Sequence, residues 1–387
     1  MRARATTRLG LAMLFHQPAR LALSAAGVAF AALLMLVQIG FRDALSEGSA
    51  RPVRHLDADL ILQERTRSSI MDQKPIERRL VAIARGVPGV ADAAPLYSDY
   101  RPWTSLADGA SRTLRVYAVD PFRFSFDFPA VRELAAELRK RDAALVDRHM
   151  HPHHGVARLG PAVLGRRHVD VVGLFDLGIA VNFDGTVITS VETYSRLRNL
   201  PERIDAPPFD PDRILLGLVK LAPGAELTEV RARLAALLPE EVVVLTKQQA
   251  VDAEAAHLER TAPLTVLLSL GALLGFFVGA GICYQILYTD IMDHRVELAT
   301  LRAMGYGLLD LYWLVALEAL VLALVGYLPA YLAAHVAYGV LEESTLYRFA
   351  LTADRALLAL GVTLLMCQVS GLLAARSVAG LDPAEVF

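Results

Sequence analysis

Four long apolar runs alternate with segments of mixed polarity along this chain. Each run reaches the length of about 20 residues that an α-helix needs to cross the hydrocarbon core of a bilayer. We therefore predict transmembrane helices over four ranges: 21–41, 261–288, 308–335 and 355–376. The pattern predicts an α-helical membrane protein with four transmembrane helices.

The charges beside the first run predict the orientation of the chain. Residues 1–20 contain four arginines and no acid, and their apolar positions are typical of an amphipathic elbow on a membrane surface. Because cytoplasmic flanks are rich in Lys and Arg, we predict that both termini are cytoplasmic, with a tail at 377–387 and a short outer loop at 336–354. A cleaved signal peptide is the alternative, but its apolar core would be unusually long.

Residues 42–260 have mixed polarity and form a predicted soluble domain on the far side of the membrane. Strand and helix patterns predict β-α-β-β order over 42–119 and β-α-β order over 214–246, and we expect both to share one sheet in an α/β lobe. The residues between them, 120–213, are predicted to form a β-rich inserted lobe. A polar helix over 247–260 is the predicted stalk that leads to the second span.

A short charged island separates the second and third apolar runs at residues 289–306. Asp293 and Glu297 are one four-residue step apart, and Gly305 is placed as a helix C-cap. Three apolar residues fall roughly on one side of this predicted helix: Leu298, Leu301 and Met304. A helix held this close to the membrane is a predicted docking element.

The island resembles the segment after the second transmembrane helix in MacB/FtsX-type permeases of ABC transporters. The matching residues read Arg295-x-Glu297-Leu298-x-x-Leu301-Arg302-Ala303-x-Gly305. Glu318 in the third span supports the resemblance. The closing residues 381–387, Leu-Asp-Pro-Ala-Glu-Val-Phe, resemble the DevC branch of that family.

The resemblance implies that the island is the coupling helix, which sits in a groove of a separate cytoplasmic ATPase that binds the ATP. The implied ATPase-coupling residues are Asp293, Arg295, Glu297, Leu298, Leu301, Arg302 and Gly305. It also implies a MacB-like porter lobe with an inserted lobe in the periplasm. The implied assembly is a homodimer of permeases in the bacterial inner membrane, with a periplasmic membrane-fusion (adaptor) protein and an outer-membrane channel.

Two features inside the predicted spans point to helix packing or motion. Gly271, Gly275 and Gly279 recur every four residues, so one face of the second span lacks side chains and a neighbouring helix can approach it closely. The alternative is the general glycine richness of transmembrane helices. Glu318 lies deep in the third span, where it needs a partner or a proton. It is interpreted either as a polar hinge or as a structural hydrogen bond to Gln38, Gln285 or Gln368.

Composition and motifs exclude several function classes. The chain is 54% hydrophobic with a net charge of -2, which favours a protein that is part membrane and part soluble and indicates no nucleic-acid partner. It lacks a Gly-x-x-x-x-Gly-Lys-Ser/Thr loop, a Gly-x-Ser-x-Gly motif and His/Glu pairs at metalloprotease spacing. We therefore predict a non-catalytic subunit with no cofactor of its own.

One histidine cluster and two cysteines are the remaining candidate metal ligands. Four histidines crowd one loop: His149, His151, His153 and His154. Their spacing is poor for a metal site, and Asp147 is the only nearby carboxylate, so we predict a solvated loop. Cys283 and Cys367 both lie in apolar runs and are predicted to be buried small hydrophobic residues.

We expect the permease subunit of an ABC exporter that works by mechanotransmission. The partner ATPase would move the coupling helix, and the periplasmic domain would expel a lipid-like or amphipathic substrate. Two alternatives stay open, an FtsX-like signalling subunit that activates a cell-wall hydrolase and a membrane-anchored periplasmic enzyme or metal sensor. The inserted lobe weakens the first alternative, and the missing catalytic set weakens the second.

Overall fold

The computed structural model describes residues 18–104, 109, 111–150, 158–179, 184–199, 209–345 and 347–379. Most of the predicted elbow, three of the four loop histidines and the DevC-like closing residues lie outside the described residues. The chain divides into a membrane unit (18–43, 263–344 and 349–379) and a soluble unit (44–262 and 345–348).

The described elements include those of the predicted β-α-β-β and β-α-β orders, together with two short strands and three short helices that the sequence pattern did not predict. They are α1 (Pro18–Arg54), β1 (Leu60–Glu64), β2 (Ile76–Glu77), α2 (Arg79–Arg85), β3 (Val90–Thr104), β4 (Ser111–Val119), α3 (Pro129–Glu133), α4 (Ala135–Leu138), β5 (Ala143–Asp147), β6 (Gly160–Leu164), β7 (Arg167–Phe175), β8 (Thr186–Ser190), α5 (Val191–Arg198), β9 (Arg213–Ile214), β10 (Leu216–Leu221), α6 (Leu227–Leu237), β11 (Val242–Thr246), α7 (Lys247–Thr261), α8 (Pro263–Asp293), α9 (Arg295–Ala303), α10 (Leu308–Thr345) and α11 (Ala353–Ala379).

Four of the described helices are long and apolar enough to cross a membrane. They are α1, α8, α10 and α11. Together with the α/β soluble unit, they confirm the predicted fold class.

Polar side chains join the helices of the membrane unit where most contacts are apolar. The Gln368 amide of α11 donates to the Ala316 carbonyl of α10 (2.9 Å), and the Tyr338 hydroxyl of α10 donates to the Leu36 carbonyl of α1 (2.6 Å). Tyr338 lies in the segment predicted as an outer loop, 336–354, but α10 continues as a helix to Thr345. That prediction is wrong for 336–345, because a change of polarity along a helix does not by itself end it.

The soluble unit contains a sheet of nine strands in the order β11-β1-β10-β3-β4-β8-β5-β7-β6. Strand β3 has 15 residues, and different parts of it pair with the strands on its two sides. Its first part pairs with β10 (Leu96 opposite Leu216), and its second part pairs with β4 (Tyr97 opposite Ala118). The two lobes therefore share β3, and their boundary lies within this strand.

The predicted lobe boundary at residue 119 is therefore misplaced. Strand β4 pairs in parallel with β8, which comes from the segment predicted to be an inserted lobe. Strands β3 and β4 follow one another in sequence, so they are expected to pair, but no local pattern shows which strand lies on the other side of β4. The sharing of one sheet by the segments 42–119 and 214–246 is confirmed by the pairing of β10 with β1 and β3.

Alternating residues of the strands divide the soluble unit into two cores on opposite faces of the sheet. Leu60 and Val219 face a core covered by α2 and α6. Ile61 and Leu218 face the other core, which includes Ala50, Val53, Ala250 and Val251. The second core therefore packs against the end of α1 and against α7, the two helices that flank the soluble domain in sequence.

Candidate functional site

The charged island forms a short helix, α9, directly after α8. Helix α8 ends at Asp293, and α9 spans Arg295–Ala303. The break falls at His294, whose Nδ1–H donates to the Asp290 carbonyl (3.0 Å). The first five residues of the predicted 289–306 island thus belong to α8.

Helix α9 ends in a Schellman motif at the glycine predicted as its C-cap. The N–H of Gly305 donates to the Arg302 carbonyl (3.0 Å), and the N–H of Tyr306 donates to the Leu301 carbonyl (3.2 Å). Gly305 has a φ of +89°, which costs a residue with a side chain about 1–2 kcal/mol. Glycine at this position lets the chain reverse tightly before α10.

The two leucines predicted to help contact the ATPase are buried inside the membrane unit. Leu298 is 3% exposed and Leu301 is 9% exposed, and both belong to the cluster that includes Leu311 and Leu314 of α10. These leucines hold α9 against its own bundle. A partner that docks on α9 would contact other residues.

The outward face of α9 carries different apolar residues. Val296 is 50% exposed and Met304 is 63% exposed. Met304 was expected to lie with the leucines, but the helix ends at Ala303 and the following turn carries its side chain outward. The remaining predicted coupling residues divide by exposure: Asp293, Arg295, Glu297 and Gly305 are exposed, and Arg302 is partly buried.

Each of the three glycines of α8 lies against α1, and Gly279 also lies against Met366 of α11. A side chain at any of them would collide with a neighbouring helix. An added Cβ would lie 2.8 Å from Gln38 Nε2 at Gly271, 2.6 Å from Leu34 Cδ2 at Gly275 and 2.6 Å from Ala31 Cβ at Gly279. The glycine stripe therefore permits a close contact between α8 and α1.

Glu318 is partly buried in α10. Gln368, one of the glutamines proposed as its partner, donates its amide to the Ala316 carbonyl. That bond links α11 to α10 at Ala316, which is two residues before Glu318.

Sequence reasoning missed two polar contacts, one partly buried and one buried, at the helices that flank the soluble domain. The first involves Arg51, near the end of α1. Its Nη1–H donates to the Leu177 carbonyl (2.9 Å), and the N–H groups of Leu177 and Gly178 donate to the Asp147 carboxylate (3.1 and 2.8 Å). Asp147 is fully buried, and burial raises its pKa although three N–H groups bind it. We call Arg51, Leu177, Gly178 and Asp147 the α1 clasp.

The second contact joins α7 to the loop between β1 and β2. The Glu254 carboxylate accepts hydrogen bonds from the Ser69 hydroxyl (2.8 Å) and from the Ile70 N–H. Glu254 is 7% exposed, and burial raises its pKa to about 7. The hydrogen bonds and the charges of Arg67 and Arg115 act in the opposite direction. We call Glu254, Ser69 and Ile70 the α7 clasp.

Two buried arginines fix the loop that Glu254 binds. Arg67 donates to four backbone carbonyls: those of Ser69, Ile70, Asp72 and Leu215. Arg115 is fully buried, donates to the Ile70 carbonyl and to the Tyr100 hydroxyl (2.8 Å), and lies against the rings of Tyr100 and Tyr117. The loop is therefore bonded to both the sheet and α7.

One sequence feature could have revealed the α7 clasp. Ala250, Glu254 and Leu258 recur every four residues and are all buried, so Glu254 is a charged residue on the apolar face of α7. A carboxylate at such a position needs buried hydrogen-bond donors. No comparable local pattern marks Arg51.

Only part of the histidine loop lies within the described residues, whereas both cysteines do. His149 Nδ1 lies 3.4 Å from Asp176 Oδ1, and the other three histidines are outside the described residues. In the described part of the chain, no group of three or more His, Cys, Asp or Glu residues is arranged to hold a metal ion. Cys283 and Cys367 are both buried.

Two family models match the sequence. The one described as MacB-like periplasmic core domain matches residues 21–237, and the one described as FtsX-like permease C-terminal matches residues 269–383. A search of curated proteins gives no match. The resemblance to the DevC branch stays a prediction.

Solved structures that are similar to this chain match about half of it. The periplasmic region of MacB from Actinobacillus actinomycetemcomitans is 11% identical, with a TM-score of 0.35, over 50% of this chain and 91% of that chain. The extracellular domain of the noncanonic ABC-type transporter YknZ from Gram-positive bacteria is 10% identical, with a TM-score of 0.33, over 49% of this chain and 99% of that chain. Because the MacB-like family model covers more than half of the sequence and the FtsX-like model includes α9, the chain belongs to the MacB/FtsX-type permeases, membrane subunits of ABC transporters with a periplasmic domain.

Proposed function

We propose that this permease works by mechanotransmission, passing motion from a cytoplasmic ATPase to its periplasmic domain. The observation that carries the proposal is the pair of clasps, because each helix that flanks the periplasmic domain is bonded to it by an ionisable side chain, partly buried Arg51 in α1 and buried Glu254 in α7. Removing one partner of such a contact leaves the other polar group unsatisfied, which costs about 1–3 kcal/mol. A displacement of α1 or α7 therefore moves the sheet with it, because the clasps prevent the helix from sliding past the domain.

The ATPase is proposed to dock on the outward face of α9. The exposed residues of α9 and its C-terminal turn include apolar Val296 and Met304 and charged Arg295 and Glu297, a mixture that suits a partner groove with an apolar centre and a polar rim. Leu298 and Leu301 tie α9 to α10, so a force on α9 would reach the membrane helices. ATP is proposed to bind the partner ATPase, with no cofactor on this chain.

The substrate is proposed to be lipid-like or amphipathic and to be expelled from the periplasmic side. The family supports an assembly of two permeases and two ATPases in the inner membrane, and we propose both termini to be cytoplasmic. A membrane-fusion adaptor and an outer-membrane channel complete the proposed export route.

The α1 clasp gives a direct test of mechanotransmission. Spin labels would be attached through Glu240→Cys in the homodimer, in a background that lacks Cys283 and Cys367, and the distance between the two labels would be measured with ATP and with ADP. The ATP-dependent change in distance should be present in the parent complex and absent in Arg51→Leu. The rate of ATP hydrolysis should be similar in both.

Arg54→Leu is the matched control, because Arg54 lies on the same helix and is exposed. It should keep the ATP-dependent change in distance. An unchanged response in Arg51→Leu would show that the α1 clasp does not transmit motion. If the parent complex hydrolyses ATP but the distance between its spin labels does not change with ATP, the mechanism itself is wrong.

A further inference from the structure

The membrane unit contains a groove that neither the coupling helix nor the clasps explain. Its volume is about 560 Å³, within the range of about 300–1,000 Å³ that is typical of small-molecule sites. Three helices form its walls: α1, α8 and α11. A groove in this unit would be filled from the surrounding bilayer rather than from water.

Each wall changes from apolar to polar in the same direction. Along α1 the lining residues are Met35, Ile39, Arg42 and Asp43; along α8 they are Phe276, Leu273, Ala272 and Ser269; along α11 they are Val362, Leu358, Arg355 and Asp354. On every helix the apolar and polar ends are about seven residues apart, which corresponds to about 10 Å of helix. The groove therefore has one apolar end and one charged end, like an amphipathic molecule.

The charges at the polar end are arranged around Asp43. Arg42 binds Asp43 Oδ1 through its Nε and Nη2 (3.3 and 3.2 Å), and Arg355 Nε lies 2.9 Å from Asp43 Oδ2. The Arg42 side chain is 40% exposed, and its bonds to Asp43 use two of the five N–H donors of a guanidinium. Asp354 is exposed, and no cation among the described residues pairs with it. The polar end thus offers N–H donors and a carboxylate.

We propose that this groove binds a bilayer phospholipid whose headgroup carries both a phosphate and an ammonium group. The phosphate accepts hydrogen bonds from Arg42, and the ammonium group pairs with Asp354. One acyl chain lies along Leu273, Phe276 and Val362. The two arginines and two aspartates balance in charge, which fits a zwitterionic headgroup better than an anionic one. The site is independent of ATPase binding and of mechanotransmission.

Photolabelling of the full chain tests the site. The purified chain would be placed in nanodiscs that contain phosphatidylethanolamine with a diazirine on one acyl chain, illuminated, and mapped by mass spectrometry of its peptides. Labels should concentrate on the groove-facing positions of α1, α8 and α11. Ala272→Trp fills the groove and should reduce this labelling about tenfold.

Leu274→Trp is the matched control, because Leu274 is exposed on the same helix and does not line the groove. It should leave the labelling unchanged. Leu358→Trp serves as a second filling variant if Ala272→Trp aggregates on size-exclusion chromatography. The site would be overturned if the labels were spread evenly around the helices, or if the filling and control variants were labelled equally. Either result would mean that the labelling comes from bulk lipid alone.

Competition with unlabelled lipids tests the headgroup. Phosphatidylethanolamine should compete about tenfold better than phosphatidylglycerol, the difference expected from one hydrogen-bonded ion pair. Asp354→Asn should remove this preference, while Arg42→Gln should weaken competition by both lipids. Equal competition by the two lipids in the parent chain would overturn the zwitterionic assignment.

Discussion

The carboxylate of Glu254 accepts a 2.8 Å hydrogen bond from the hydroxyl of Ser69, a residue 185 positions earlier in the chain. The bond ties α7 to a loop that the buried guanidinium of Arg67 also holds. Glu254 is therefore a charged group that folding removes from water, and its protonation equilibrium is linked to the stability of the periplasmic domain.

The pKa of Glu254 predicts that the periplasmic domain loses stability as the pH rises from about 4.5 to about 7. The folded state still holds the proton in this window while the unfolded state has released it, so the free energy of unfolding falls with rising pH. The loss is on the order of 3 kcal/mol once both states are ionised. Glu254→Gln, which cannot ionise, should flatten this dependence.

The measurement is thermal unfolding of the full chain from pH 5 to pH 8, followed by tryptophan fluorescence. The chain has two tryptophans, so Trp313→Phe leaves Trp103 in β3 as the only reporter. Asp252→Asn is the control, because Asp252 is an exposed acid on the same helix. A Glu254→Gln profile with the same slope as the parent would refute the linkage.

The burial pattern of α9 predicts that two substitutions on the same helix have different effects. Leu298→Ala removes a buried side chain, so it should cost about 2–5 kcal/mol of stability and also weaken ATPase binding. Val296→Asp changes an exposed position, so it should alter stability by less than about 0.5 kcal/mol. It should nevertheless reduce co-purification of the ATPase about tenfold or more, because it places a charge in the proposed interface.

The measurements are thermal unfolding of each variant and the amount of ATPase that co-purifies with it. If the Val296→Asp variant co-purifies as much ATPase as the parent chain does, this face of α9 is not the docking surface.

The glycine stripe predicts that two glycines of α8 respond differently to the same substitution. In Gly279→Ala the new Cβ would lie 2.5 Å from Met366 Sδ and 2.6 Å from Ala31 Cβ, so the Met366 side chain and α1 have to move and the cost should be about 1–3 kcal/mol. Gly281 has no neighbouring atom within 4 Å of such a Cβ, so Gly281→Ala should be neutral or stabilise the helix by up to about 1 kcal/mol. Thermal unfolding in detergent measures both. Equal melting temperatures would show that the close contact contributes nothing.

The arginine-rich N-terminus and the four spans predict that α9 is cytoplasmic and that the α/β domain is outside. Single cysteines would be introduced as Arg295→Cys and Glu240→Cys in a background without Cys283 and Cys367. An impermeant maleimide applied to intact cells should label position 240 and not position 295 until the membrane is permeabilised. The reverse pattern would invert the topology and exclude a cytoplasmic ATPase on α9.

Several features of the fold follow from local sequence alone. The four apolar runs predict the membrane helices because the length of a bilayer span needs no knowledge of tertiary contacts. Gly305 could be predicted as a helix end because glycine adopts positive φ at little cost. The β-α-β-β order over 42–119 and the β-α-β order over 214–246 followed from periodicity, but the short strand pairing of Ile76 with Ile214 did not.

Tertiary structure alone decided which side chains of these elements meet. The sequence determined that Leu298 and Met304 are apolar, but only the position of α10 decided that Leu298 is buried and Met304 exposed. The pairing of β4 with β8 and the bond between Arg51 and the Leu177 carbonyl join residues far apart in the chain. Hydrophobic periodicity shows which residues leave water. It does not show which residues they meet, because that depends on how elements from distant parts of the chain pack.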